Sequence, residues 1–303
     1  MTRLTDLFLT ALAPIVWGST YIVTTELLPP GHPVFVSAAR VLPAGLLLLL
    51  LVRQVPRGVW IWRSLALGLL NFAIFMVLLF VAAYRLPGGI AATVGAVQPL
   101  IVIFVAAALL GTVIRPLAVA AALAGLGGVA LLVLRHGAAL DMIGIAAALG
   151  GAVSMAFGVV LSRRWQPPVS PLTFAAWQLT AGGLLLVPMA FVMEPLPPVP
   201  DARNLTGFLY MGLSSALTYV LWFRGISRLE PSAVSSLGFL SPTTAVLLGW
   251  VLLGQALSPA QLGGVAIVLA SVWLAQRAAR QPAPGKAGTG LPAGLREGRA
   301  RHP

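Results

Sequence analysis

Apolar residues fill long blocks of this chain, and polar positions cluster in the short gaps between them. A helix needs about 20 mainly apolar residues to cross a bilayer, and an open sheet edge would leave backbone groups unpaired in hydrocarbon. The pattern therefore predicts ten transmembrane helices, at 6–27, 34–52, 64–84, 89–111, 116–134, 141–162, 171–192, 205–223, 231–253 and 259–277. The breaks carry helix-stopping or charged residues: Pro29-Pro30-Gly31-His32-Pro33, Arg53 to Arg63, Pro87-Gly88-Gly89 and Arg115-Pro116. Further along they are Arg163 to Pro171, Glu194 to Pro200, Glu230-Pro231 and Ser258-Pro259. From about residue 280 the chain is basic, rich in Gly and Pro and without periodicity, which predicts a disordered tail over 280–303.

Composition agrees with the bilayer as solvent. Of 303 residues, 59% are hydrophobic and only 9% charged, against roughly 25% charged in a soluble domain. The first apolar block reads as a retained helix. Its only small-x-small tripeptide, Ala11-Leu12-Ala13, is followed by Pro14, and the apolar run continues to Val23.

The net charge of +12 first suggests nucleic acid. The basic residues, however, lie between the apolar blocks and in the tail, so no element carries the basic stripe of a nucleic-acid reader. Their placement sets orientation instead. With the N-terminus inside, the cytoplasmic segments collect Arg3, Arg53, Arg57, Arg63, Arg115, Arg163, Arg164, Arg224 and Arg228, and the tail adds more. The opposite side holds only Arg85, Arg135 and Arg203. Both termini are expected in the cytoplasm. Lys286 is the one lysine, and with the abundance of Ala and Leu this bias fits a GC-rich bacterial genome and a bacterial inner membrane. There is no cysteine, and His32, His136 and His302 have no ligand spacing, so no metal and no cofactor is expected.

The chain also repeats itself. Shifted by 138 residues, Pro33 meets Pro171, Ala38 meets Ala176 and Gly45 meets Gly183. Shifted by 143, Arg85-Leu86 meets Arg228-Leu229, Pro99 meets Pro242, Leu110-Gly111 meets Leu253-Gly254, and Pro116 meets Pro259. The division expected is a first five-helix repeat over 1–137 and a second over 138–279. Because five is odd, the second copy would enter the membrane upside down. Inverted repeats are the architecture of alternating-access carriers, with the site near the midplane. A duplication kept only for stability is the competing reading.

Trp17-Gly18-Ser19 in the first helix, Arg40 in the second and Ala91 to Pro99 in the fourth carry a family likeness, with Ser235 to Pro242 in the ninth and Gly263-Gly264 in the tenth. On these residues the chain resembles the drug/metabolite transporter superfamily in its ten-helix EamA type, over residues 6–277. It is most similar to bacterial inner-membrane exporters of amino acids, aromatic ones included. The resemblance implies an all-α membrane fold of two inverted five-helix repeats around a central cavity. Helices 1, 3, 4, 6, 8 and 9 would surround that cavity, with 5 and 10 peripheral.

Substrate-binding candidates are the polar and aromatic residues inside these helices: Trp17, Ser19, Tyr21, Asn71, Thr93, Gln98, Ser154, Tyr219, Ser235 and Ser241, with Thr218 and Ser236 beside them. Asn71 and Gln98 are the costliest to leave in lipid, so they should face the cavity or bond another helix. Ser and Thr are able to bond their own helix backbone instead. Pro99 and Pro242 are hinge candidates. Each removes a backbone N–H and would free the carbonyl four residues earlier, that of Gly95 or Gly238. Trp60, Trp62, Trp165 and Trp273 read as interfacial anchors.

Arg40 is the one basic residue well inside a helix. It is expected to pair with Glu26, to snorkel, or to bind a carboxylate at the mouth; the paired structural role is favoured. No acid lies at mid-membrane: Asp6, Glu26, Asp141, Glu194, Asp201 and Glu230 fall at helix ends or in loops, and Glu297 in the tail. Cationic substrates and proton coupling both want such a group. The expected function is therefore export of small zwitterionic or neutral metabolites, amino acids foremost, by facilitated diffusion. Alternatives are an exporter of drugs, nucleobases or sugars, and, from another class, a non-transporting sensor or channel-like protein. No enzyme motif is present. The expected partners are the substrate and the lipid bilayer, with no nucleic acid; a dimer face has no support in the sequence.

Overall fold

The computed structural model describes residues 2–86, 93–133, 141–254 and 256–280, and within them the chain is helices and connecting turns. The helices are α1 (Arg3–Leu27), α2 (Pro33–Val52), α3 (Val59–Gly68, Leu69–Ile74 and Phe75–Arg85 in continuous sequence), α4 (Thr93–Leu110) and α5 (Pro116–Val133). The second series is α6 (Met142–Arg164), α7 (Pro171–Met193), α8 (Ala202–Arg228), α9 (Pro231–Leu253) and α10 (Pro259–Ala278). Nine described helices are long and apolar enough to cross a membrane, and α5 is a shorter apolar helix. The protein is an all-α multi-pass membrane protein. Its outer surface carries Leu50, Trp62, Phe191, Leu217 and Trp250, all exposed, where lipid rather than water meets them.

Several helix starts follow from local capping. Asp201 and Ser258 open α8 and α10 with reciprocal capping boxes to Asn204 and Gln261, and Asp141 and Ser170 cap α6 and α7. Gly111 and Gly254 end α4 and α9 in the left-handed region, at φ 67° and 64°. Two helices outrun the hydropathy limits by five residues at one end. α3 starts at Val59 because Arg63 is shielded over the rings of Trp60 and Trp165. α8 runs on to Arg228 because Arg224 and Arg228 pair with Asp6. The tail beyond residue 280 lies outside the described residues.

The helices pack in layers: α2 with α7, then α3 and α8, then α1 and α6, then α4 and α9, and finally α5 with α10. Swapping each helix for the one five places away preserves the most extensive of these contacts. α6 on α3 and α4 becomes α1 on α8 and α9, while α2–α7, α4–α9 and α5–α10 map onto themselves. Helix association in lipid depends on close packing rather than on a hydrophobic drive, and the glycines serve it. A Cβ on Gly45 would lie 2.4 Å from Thr180 N, and one on Gly183 would lie 2.5 Å from Leu42 Cα.

The bundle has two chemically distinct ends. At one, Asp6 pairs with Arg224 and Arg228 at 2.5 and 3.4 Å, and Arg115 with Glu230 at 2.7 Å. There, too, Arg163 donates to the last carbonyls of α8, at Ile226 and Ser227. At the other end, Arg85 meets Asp141 at 3.3 Å, Glu26 meets Arg203 at 3.6 Å, and Glu194 accepts from the N–H groups of Val34 and Phe35. α1 thus begins at the arginine-rich end and α6 at the opposite one.

Candidate functional site

α8 turns Ser215, Thr218, Tyr219 and Trp222 inward, all buried, at the spacing of a single helix face. α1 sets Trp17 against that face. The indole ring lies 5.1 Å from Tyr219 and 5.0 Å from Trp222, centroid to centroid, and its N–H donates to Thr218 Oγ1 at 2.9 Å. Thr218 in turn donates to the Ser214 carbonyl at 2.7 Å. Phe72 of α3 stands edge-on to Tyr219 at 4.8 Å. α2 contributes Arg40, whose Nε lies 3.2 Å from Ser215 Oγ. Ser215 is the central residue of the 27-residue α8, so this cluster sits halfway through the bundle.

The Trp17-Gly18-Ser19 segment has a distinct task for each residue. Trp17 supplies the ring. Gly18 lets α1 lie directly on α9, since a Cβ there would come within 2.5 Å of Thr244 Cβ and 2.7 Å of the Ser241 carbonyl oxygen. Ser19 breaks the helix: its N–H and hydroxyl both reach the Val16 carbonyl, at 3.0 and 2.7 Å. Its oxygen then accepts from Tyr210 at 2.5 Å. The side chain of Tyr21 lies outside the described residues.

A second polar group lies between α3, α6 and α7. Asn71 Nδ2 donates to Gln178 Oε1 at 2.9 Å and to Ser162 Oγ at 3.3 Å, and Ser162 also donates to Gln178. All three are buried. Asn71 sits in the π-helical turn Leu69–Ile74, where Ser154 of α6 donates to the Leu70 carbonyl at 2.8 Å. The amide presses on Gly158, whose Cβ would fall 2.0 Å from Asn71 Oδ1. These bonds join helices, so Asn71 and Ser154 stand apart from the Trp17–Tyr219 cluster.

α4 and α9 each break just before the internal proline singled out in the sequence. α4 turns through Ala96 N–H to Thr93 O and Val97 N–H to Val94 O, each 3.2 Å, before Pro99. α9 turns at Gly238 and Phe239 before Pro242. One expectation fails. The Gly238 carbonyl is not freed, because Ser241 N–H takes it at 3.1 Å as the helix tightens to i→i+3 bonds. Ser235 and Ser236 bond their own backbone, to Ser232 and Ala233. Gln98 and Gly95 line an opening between α3, α4 and α6, with Phe75, Gly151 and Met155. Ser241 is half-buried in the break of α9, and Thr93 begins α4.

Arg40 corrects the sequence reading more sharply. Glu26, its expected partner, pairs with Arg203 instead, because both lie at the mouth while Arg40 reaches mid-bundle. Trp222 was absent from the sequence candidates, although its place three residues after Tyr219 puts it on the same helix face.

Among the described residues, ten apolar helices surround a polar and aromatic centre, with the breaks of α1, α4 and α9 beside it. The EamA-like transporter family model matches the chain twice, over residues 4–134 and 142–276. The chain belongs to the EamA-like transporter family. It is 44% identical over 267 residues to Protein PecM of Dickeya dadantii, covering 87% of this chain and 90% of that one. It is 30% identical over 269 residues to the uncharacterized inner membrane transporter YedA of Escherichia coli K12, covering 86% and 87%. A crystal structure superimposes with a TM-score of 0.79 over 92% of this chain and 99% of the other, at 23% identity, a likeness of fold.

Proposed function

We propose that this transporter exports small zwitterionic or neutral metabolites, amino acids and especially aromatic ones, from a bacterial cytoplasm by alternating access. The observation that carries the reading is the Trp17 indole seated against Tyr219 and Trp222 at mid-bundle, with its N–H committed to Thr218. Aromatic faces favour offset or edge-on partners at 4.5–7 Å, so a substrate ring or side chain finds a complementary wall there. Ser19 and Ser241 extend it with hydroxyls, and Gln98 lies across the bundle on α4.

The carrier cycle is read from two inverted halves, residues 1–137 and 138–279. Support comes from the helix contacts that the exchange preserves and from the family model matching each half in turn. The arginine-rich end is assigned to the cytoplasm by the charge rule, which places both termini there. Pro99 and Pro242 act as the hinges about which the halves rock. Each described acid sits at a helix end: Asp6, Glu26, Asp141, Glu194, Asp201 and Glu230. No described carboxylate lies at the centre to carry a proton, so the substrate moves down its own gradient.

The test is counterflow into liposomes holding the purified protein, using labelled amino acids and no imposed ion gradient. Accumulation of a neutral or aromatic amino acid is expected, unchanged by a protonophore. Uptake that appears only with a proton gradient would refute the uncoupled cycle. Failure of every amino acid, with drugs, nucleobases or sugars moving instead, would refute the substrate class.

A further inference from the structure

Among the described residues, Arg40 is a buried cation without a counter-ion. It is only 8% exposed, and its one hydrogen bond among the described residues runs from Nε to the neutral Ser215 hydroxyl. No described acid pairs with it: Asp6, Glu26, Asp141 and Glu230 are bound to other arginines, and Glu194 and Asp201 take backbone N–H groups at helix starts. A guanidinium does not escape by losing its proton. An unpaired buried charge is strongly destabilising, so a group this deep calls for something that completes it.

Its surroundings say what. Ser215 and Tyr219 are one turn apart on the same face of α8, and Arg40 bonds the first. Tyr219 is also the residue that Trp17 and Phe72 pack against. No described residue takes the terminal N–H donors of Arg40, which lies on Ser215, one turn of α8 from Tyr219, and planar carboxylate is the group such a fork matches bidentately.

The other half of the chain supplies an internal contrast. At the 138-residue shift that aligns α2 with α7, Arg40 falls on Gln178. Gln178 is fully buried too, yet its carbonyl oxygen is filled by Asn71 and Ser162. One half carries a neutral amide bonded across helices. The other carries a charge left open.

We propose that Arg40 binds the carboxylate of the transported substrate, which fixes the substrate class as a monocarboxylate with an apolar or aromatic body lying on Trp17 and Tyr219. This rests on the transport reading above and narrows it. The same chemistry is shared by aromatic amino acids and by simple aromatic acids, and the test separates them.

The experiment measures competition against labelled phenylalanine bound to the full-length protein in nanodiscs. The competitors are phenylalanine, 3-phenylpropionate, phenylalaninamide and phenethylamine, on wild type, Arg40→Lys and Arg40→Gln. In wild type the two carboxylates should compete about 10- to 100-fold better than the two compounds lacking one. Arg40→Gln should bring the acids down to the level of the amide without weakening the amide, and Arg40→Lys should keep part of the preference. If 3-phenylpropionate matches phenylalanine, the ammonium group contributes nothing, and the amino-acid reading falls while Arg40's assignment stands. The assignment itself is overturned if wild type binds none of the four, or ranks acid and amide equally. It is also overturned if Arg40→Gln keeps the acid preference, or lowers melting temperature and weakens all four alike, as a purely structural arginine would.

Discussion

Gly45 and Gly183 share one register, 138 residues apart, and each seats the helix that carries the other. Gly45 abuts the backbone at Thr180, Gly183 abuts the backbone at Leu42, and Thr180 lies 138 residues after Leu42. The α2–α7 crossing is thus made twice by one pair of contacts. Because the nearest atoms are backbone, neither side can swing away. Gly45→Ala and Gly183→Ala are each expected to destabilise the protein by about 1–3 kcal/mol, read as a lower melting temperature in detergent. Gly212→Ala, where a Cβ meets nothing within 4 Å, should be neutral or slightly stabilising. Equal melting temperatures for all three variants would mean that α2 and α7 do not cross at these residues.

The same correspondence recurs in charge. Arg228 meets Asp6 at one end of the bundle and Arg85 meets Asp141 at the other, with Arg85 and Arg228 equivalent at the 143-residue shift. The first pair is reinforced by Arg224 and better shielded, with Asp6's side chain 10% exposed against 38% for Asp141's. Asp6→Asn should therefore open the arginine-rich end more than Asp141→Asn opens the other. With no native cysteine, single-cysteine reporters at each end read this directly, through the rate of reaction with an impermeant thiol reagent. Equal rate changes for the two variants would count against a tighter closure at Asp6.

Asp141 also sets a pH dependence. The Gly144 N–H bond, with Arg85's charge adding to it, holds the Asp141 carboxyl below the ordinary carboxylate range. A lowered folded value means that the contribution is present above the ordinary value and lost as pH falls through the lowered one. The stability difference between wild type and Asp141→Asn should stay flat from pH 8 to about 5 and vanish only below about pH 4. A difference that fades between pH 7 and 5 would assign the effect to another group.

Much of this was legible along the chain, and the exceptions have physical causes. Helices α2, α5, α7, α9 and α10 begin and end within a residue or so of their hydropathy limits, and each opens on a proline. α3 and α8 overran because hydropathy counts Arg63, Arg224 and Arg228 as polar without knowing that Trp60 and Asp6 shelter them. At the site, Trp17 and Tyr219 were both visible as intramembrane aromatics, yet their contact depends on how α1 lies on α8. Arg40 was visible as the lone mid-span cation, but sequence proximity pointed to Glu26, and only packing showed Arg203 holding that acid.

Asn71 offers a check on which polar groups serve structure. Replacing it by Leu leaves Gln178 and Ser162 buried with fewer partners, a cost of about 1–3 kcal/mol. Melting temperature should fall while the ranking of substrates holds. A changed ranking at unchanged stability would move Asn71 into the substrate site.

The bond from Trp17 to Thr218 should behave oppositely. Trp17→Phe and Thr218→Val each remove it, and the double variant should cost no more than either alone, a coupling of about 1 kcal/mol. The loss should appear in KM for aromatic substrates. Fully additive effects would show that the two side chains act separately.

Access to the centre from both sides tests the transport cycle most directly. Ser241→Cys places a thiol of nearly native size in the break of α9, and an impermeant thiol reagent can be applied to either face of oriented vesicles. Labelling is expected from each face, slowed by transported substrate, with Asp6→Asn raising the rate at the arginine-rich face and lowering it at the other. Labelling from one face only, unaffected by substrate or by Asp6→Asn, would contradict a single site opened alternately to the two sides.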